Sequence, residues 1–173
     1  MKVLAIDGSP TGPGRTAAVL SAVLAGAAEA GAETGLVSLG EDPDIAAADA
    51  YVLGSPVHRA SFATPLKAFL DRLPRGMWGE TEHPLTGKAV AIVLTGASWQ
   101  HFLALNDLRS VLAGFFAAHV LPPGLYVPGD GFDQAKQPTE AFATLAHGQG
   151  VALVDLARAV AASPALSSVR PQA

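Results

Sequence analysis

Nine consecutive residues near the start, Gly8-Ser-Pro-Thr-Gly-Pro-Gly-Arg-Thr16, place three hydroxyls and one guanidinium just ahead of an Ala/Leu-rich helical pattern. That combination is chemistry for an anion. Ser9, Thr11 and Thr16 carry the hydroxyls, and Arg15 adds a fixed planar cation. The helix start supplies free backbone amides and the positive end of its dipole. A phosphomonoester dianion suits such a loop; the plainer use of the same residues is a turn leading into a capped helix.

Two more stretches share this make-up. Gly54-Ser-Pro-Val-His-Arg-Ala-Ser61 and Thr95-Gly-Ala-Ser-Trp-Gln-His101 each follow an apolar run. Better-known phosphate motifs fit poorly. Five residues separate Gly8 from Gly14, and Arg15 stands where a P-loop needs Lys. Gly12-Pro-Gly-Arg-Thr-Ala17 formally matches a dinucleotide fingerprint, but its first glycine lies too far beyond the strand. A phospho-acceptor receiver fails for want of Asp at the end of the third strand, where Gly54-Ser55-Pro56 stand, and no G-x-S-x-G nucleophile elbow is present. No catalytic side chain is legible.

The elements that must position these loops come from periodicity. Residues 3–6, 34–39, 50–53 and 89–94 are apolar runs of strand length, and a fifth strand falls at 119–121 or 124–127. Residues 89–94 are the most apolar, as expected for the centre of a parallel sheet covered on both faces. Helical spacing is predicted over 15–30, 64–73, 100–117 and 139–162, with a short helix over 44–48. Gly148 and Gly150 interrupt the 139–162 segment, leaving open whether it bends or breaks. Strands separated by helices, joined by right-handed crossovers, give an α/β doubly wound parallel sheet, with ligands held at the carboxyl ends of the strands. All three loops then share one edge.

At 173 residues the chain fits one domain, read as 1–165 with a frayed tail over 166–173. A net charge of −4 without a basic block argues against a nucleic-acid surface. The absence of cysteine removes disulfides, thiolate catalysis and Cys-based metal sites. His83, His119 and His147 lack ligand spacing, so no metal is expected. No run is long enough to span a bilayer, and a cytoplasmic protein is expected. The acidic stretch 41–44 reads as a solvated loop, and Phe115 and Phe116 as core, with an oligomer seam as the second choice. Trp99 reads either as a wall of the substrate pocket or as an interface residue.

The three loops together, with Pro65-Leu-Lys-Ala-Phe-Leu-Asp71 and the helix pattern from Leu103, resemble the NADPH-dependent FMN reductase family over about residues 2–127. Its closest flavour is the flavin reductases of sulfonate- and sulfone-degrading monooxygenases. The resemblance implies a flavodoxin-like sheet of five strands in the order 2-1-3-4-5. It implies that Ser9, Thr11, Arg15 and Thr16 hold the FMN phosphate. Pro56, Val57, His58, Arg59, Ala60 and Ser61 would run along the ring and ribityl chain. Thr95, Gly96, Ala97 and Ser98 would meet the pyrimidine end, and His101 would line the pocket or cap the next helix.

Departures from the family pattern are Gly14 for Ser, His58 for Tyr, and Trp99-Gln100 for smaller residues. The helix from Leu103 also reads one residue shorter than in the sulfonate-linked members. There an inserted Tyr is associated with release of reduced flavin, so here FMN is expected to stay bound.

The implied activity is ping-pong hydride transfer from NADPH or NADH through FMN to a small-molecule acceptor: a flavin, a quinone, an azo or nitro compound, or a pathway metabolite. A partner monooxygenase and a homodimer or homotetramer are also implied. The alternative is a flavodoxin-like electron carrier without a pyridine-nucleotide site.

Overall fold

Small residues on one face of the sheet and large ones on the other decide how the layers stack. The computed structural model describes residues 1–39 and 45–172. Strand β1 (Lys2–Asp7) turns Val3 and Ala5 toward one core and Leu4 and Ile6 toward the other. Strand β5 (Ala89–Thr95) is buried along its whole length and repeats the pattern, with Ala89, Ala91 and Val93 on the first side and Val90, Ile92 and Leu94 on the second. Helices α1 (Arg15–Glu29) and α4 (Glu140–Ala162) cover the small-residue face, and α2 (Thr64–Arg72) and α3 (Ala104–Ser110) cover the other.

Strands β2 (Glu33–Ser38), β3 (Ala50–His58), β4 (Ser61–Phe62), β6 (His119–Val120) and β7 (Leu125–Val127) complete a seven-stranded sheet. Its order is β2-β1-β3-β5-β6, with β7 also on β5 and β4 on β3. The expectation of five strands is corrected in two places. Both stretches offered for the last strand form: β6 pairs with Ala89 and Val90, and β7 pairs with Val93 to Thr95, on either side of Pro122 and Pro123. The prolines have no amide to give the ladder and divide the strand.

The other correction is in the second loop. Strand β3 does not stop at Leu53 but runs through Gly54-Ser55-Pro56 to His58, then folds back antiparallel onto β4. Gly54 permits this, since a Cβ there would lie 2.7 Å from Leu20. The fold is α/β and flavodoxin-like, parallel except for that hairpin.

Helix α4 runs unbroken through its glycines. A Cβ on Gly150 would fall 1.9 Å from the Val23 carbonyl oxygen, and one on Gly26 would fall 1.9 Å from that of His147. Gly26 and Gly150 are therefore the contact by which α1 and α4 cross, whereas Gly148 faces open space.

The segment expected as one helix over 100–117 starts as a tight turn at Trp99–His101, continues as α3 and ends in a wide π turn over Val111–Phe115. The Ala118 amide reaches back to the Leu112 carbonyl at 3.0 Å, with Ala117 left-handed at φ 52°. A π turn accommodates one residue more than an α turn, which a length read from sequence does not register. Phe116 is core, but Phe115 is 60% exposed.

The short helix expected over 44–48 begins outside the described residues, and residues 45–48 form a turn. The acidic residues 41–44 also lie outside them. Beyond α4 the chain forms a short α5 (Pro164–Ser167), whose first turn is capped by the Ser163 hydroxyl. The Leu166 carbonyl sits 2.8 Å from His119 Nε2. No helix among the described residues is long and apolar enough to cross a membrane.

Candidate functional site

The carboxyl ends of β1, β3 and β5 open into one cleft of about 590 Å³. Residues from all three loops line it: Ser9, Thr11, Arg15 and Thr16, then Pro56, Val57 and His58, then Thr95, Gly96 and Ala97. The first two loops are stitched together by the Gly8 amide, which donates to the Gly54 carbonyl at 2.8 Å. A buried hydrogen bond of 2.9 Å between the Thr16 and Thr95 hydroxyls ties the first to the third.

Helix α1 begins as an anion site should. Its cap residue, Gly14, gives no side-chain hydrogen bond, and its first turn carries no acidic residue. The opening amides thus keep their donors, and Arg15 stands exposed at the first helical position. The Arg15 guanidinium lies over the Phe132 ring, 5.2 Å from its centroid. Gly12, at φ 81°, has open space where a side chain would be. This donor set fits a phosphate monoester.

Ser9 differs from the expectation. Its amide and hydroxyl both donate to Asp7 Oδ1, at 3.0 and 2.6 Å. The proton expected to face a phosphate is directed inward instead. Asp7 itself is 2% exposed, and its Oδ2 has no partner among the described residues.

The second loop is a hairpin. His58 pairs with Ser61, and Arg59 and Ala60 form its two-residue turn with φ of 53° and 66°. Positive φ at both positions is the type I′ signature, normally met by Asn-Gly. Ser55 braces the hairpin by accepting from the Ala63 amide at 2.8 Å. Pro56 to His58 reach the cleft, whereas Arg59, Ala60 and Ser61 lie outside its lining.

The third loop is shaped by Tyr126 on β7. Its hydroxyl donates to the Ser98 carbonyl at 2.5 Å, and a Cβ on Gly96 would lie 2.1 Å from that oxygen. Burial raises the Tyr126 pKa above its ordinary 10.0. Ser98 and His101 are not among the residues lining the cleft. Trp99, 53% exposed, lines a separate apolar groove with Phe102, Leu103, Tyr126, Phe142 and Leu145. It is therefore no wall of the cleft.

Sequence reasoning missed Lys136, which also lines the cleft, and it missed Asp7 and Tyr126 beneath the loops. Asp7 could have been noticed as a charge closing an apolar strand. Lys136 belongs to no motif. Among the described residues no three His, Cys, Asp or Glu side chains gather at metal-binding range.

An NADH-dependent FMN reductase of Pseudomonas putida is 37% identical over 87 residues, covering 50% of this chain and 43% of the relative. The chain spans less than half the length of the curated relatives it matches. Among solved structures, an NADH:FMN oxidoreductase in its apo form superposes with a TM-score of 0.71 at 24% identity, covering 96% of this chain and 93% of that one. An archaeal flavodoxin superposes at 0.69 and 17% identity, covering 91% and 99%. At these identities the structures speak for the fold. The sequence profile described as NADPH-dependent FMN reductase matches residues 1–132, the stretch that carries all three loops, and the chain is a member of that family.

Proposed function

We propose that this chain binds FMN in the cleft and works as an NAD(P)H-dependent flavin oxidoreductase. The observation carrying the reading is the convergence of three strand-end loops on a helix start with neither a side-chain cap nor an acidic first turn. The α1 amides, Arg15 and the Thr11 and Thr16 hydroxyls would hold the phosphate. The backbone of residues 56–58 would run along the ring, and residues 95–97 would meet its polar edge. What FMN supplies when bound is two-electron chemistry: hydride accepted from NADPH or NADH, and electrons passed to a second acceptor.

The chain's own part is to fix the phosphate, exclude water from the buried side and leave one side open. Donor and acceptor would use that open side in turn, a ping-pong order. No protein acid or base is assigned to the hydride step. The acceptor would be a free flavin, a quinone, an azo or nitro compound, or a pathway metabolite, and a monooxygenase would be a fitting partner. Self-association as a dimer or tetramer is supported by the exposed Trp99, Phe102, Leu103 and Leu145 side chains.

The deciding experiment is the absorption spectrum of the purified protein loaded with FMN, followed by anaerobic addition of NADPH. A bound flavin spectrum that bleaches is expected. Bound flavin that stays oxidised would point to an electron carrier instead, and failure to bind FMN would end both readings.

A further inference from the structure

The family match ends at residue 132, yet the cleft gains part of its lining from the residues that follow. Phe132 bridges to Pro138, and the Asp133 amide donates to the Gln137 carbonyl at 2.9 Å. Asp133 Oδ1 accepts from the Gln137 amide at 2.8 Å. The Lys136 amide donates to the Asp133 carbonyl at 3.1 Å, and Lys136 itself stands at φ 62°. Glycine or asparagine takes this left-handed backbone at less cost than lysine. A strained lysine facing a cleft is a reason to look for function there.

Lys136 lines the cleft together with Arg15, and its side chain makes no hydrogen bond or ion pair with the described residues. Just below, the buried Asp7 takes the Ser9 hydroxyl and places a carboxylate under the loop. Beside the α1 amides and the remaining hydroxyls, Arg15 is the one Arg or Lys that the three loops bring to the cleft lining, and a second cation adds a charge-assisted donor for a dianion above such a floor.

We propose that Lys136 is a second cationic arm of the phosphate site, supplied from outside the family-matched region, and that it selects phosphorylated flavin over riboflavin. This rests on the reading of the cleft as an FMN site.

The test titrates the full chain with FMN and with riboflavin, following flavin fluorescence at two salt concentrations, alongside thermal melts. Lys136→Gly should weaken FMN binding about tenfold and leave riboflavin unchanged. Its melting temperature should hold or rise, because glycine relieves the left-handed strain, and the salt dependence of FMN binding should become shallower. Lys136→Arg should keep FMN affinity within about threefold of wild type.

An unchanged FMN affinity in Lys136→Gly overturns the proposal while leaving the cleft reading intact. So does an equal loss for both flavins. A wild-type chain that binds neither flavin overturns the cleft reading itself, and the proposal with it.

Discussion

Thr16 and Thr95 stand 79 positions apart in sequence, yet their hydroxyls share a 2.9 Å hydrogen bond beneath the cleft. Both residues are buried, at 2% and 5% exposure. The bond joins the first turn of α1 to the last residue of β5, so it fixes where the start of α1 sits relative to the third loop. Replacing one partner by valine, of nearly the same shape, leaves the other hydroxyl without this bond. Thr16→Val or Thr95→Val should each cost about 1–3 kcal/mol in urea unfolding, and the double variant should cost clearly less than their sum.

The α1–α4 crossing makes opposite predictions for two glycines only two residues apart. Gly150→Ala drives a methyl into the Val23 carbonyl and should cost about 3 kcal/mol or leave little folded protein. Gly148→Ala meets nothing and should stabilise by about 0.5–1 kcal/mol, because alanine is the better helix former. Thermal melts of the two variants read this directly.

Ala60, exposed in the hairpin turn at φ 66°, pays a left-handed strain that glycine avoids. Ala60→Gly should raise stability by about 0.5–1 kcal/mol by equilibrium denaturation.

Tyr126 predicts a dependence on alkaline pH. Its folded-state pKa is raised by burial, so folding favours the neutral phenol. That contribution is complete below the unfolded value near 10.0 and is lost as pH climbs through the raised folded value, since only the unfolded chain then releases the proton readily. Tyr126→Phe should lower stability by about 0.5–1.5 kcal/mol at neutral pH, through loss of the bond to Ser98. The difference between wild type and variant should shrink as pH rises above 10.

Arg15→Ala tests the anion end. FMN affinity should fall about 10–100-fold, with riboflavin little affected, as expected for a charged hydrogen bond to phosphate. Flavin fluorescence titration measures both.

What the residues disclosed in advance follows from local chemistry. That the first loop lines the cleft was legible because hydroxyls, glycines and Arg15 sit together ahead of a helical period. The central strand was legible because residues 89–94 are apolar without alternation. What escaped depended on distant partners. Gly54 and Pro56 look like strand terminators until Leu20 is seen packed on Gly54. Gly150 looks like a helix breaker until α1 lies against it. Ser98 and His101 share a loop with Thr95, but the Tyr126 hydroxyl holds the Ser98 carbonyl, and the chain turns from there into a short helical turn outside the cleft lining. Lys136 enters the cleft through a loop closed by its own backbone, with no neighbouring residue type to signal it.

The divided strand on the far side of β5 has a bearing on solubility. Strands β6 and β7 offer two and three residues with prolines between, so that margin of the sheet exposes no long row of open amides and carbonyls on which another chain could zip. Joining them into one uninterrupted extended ribbon would create such a template, and with it a route to fibrils.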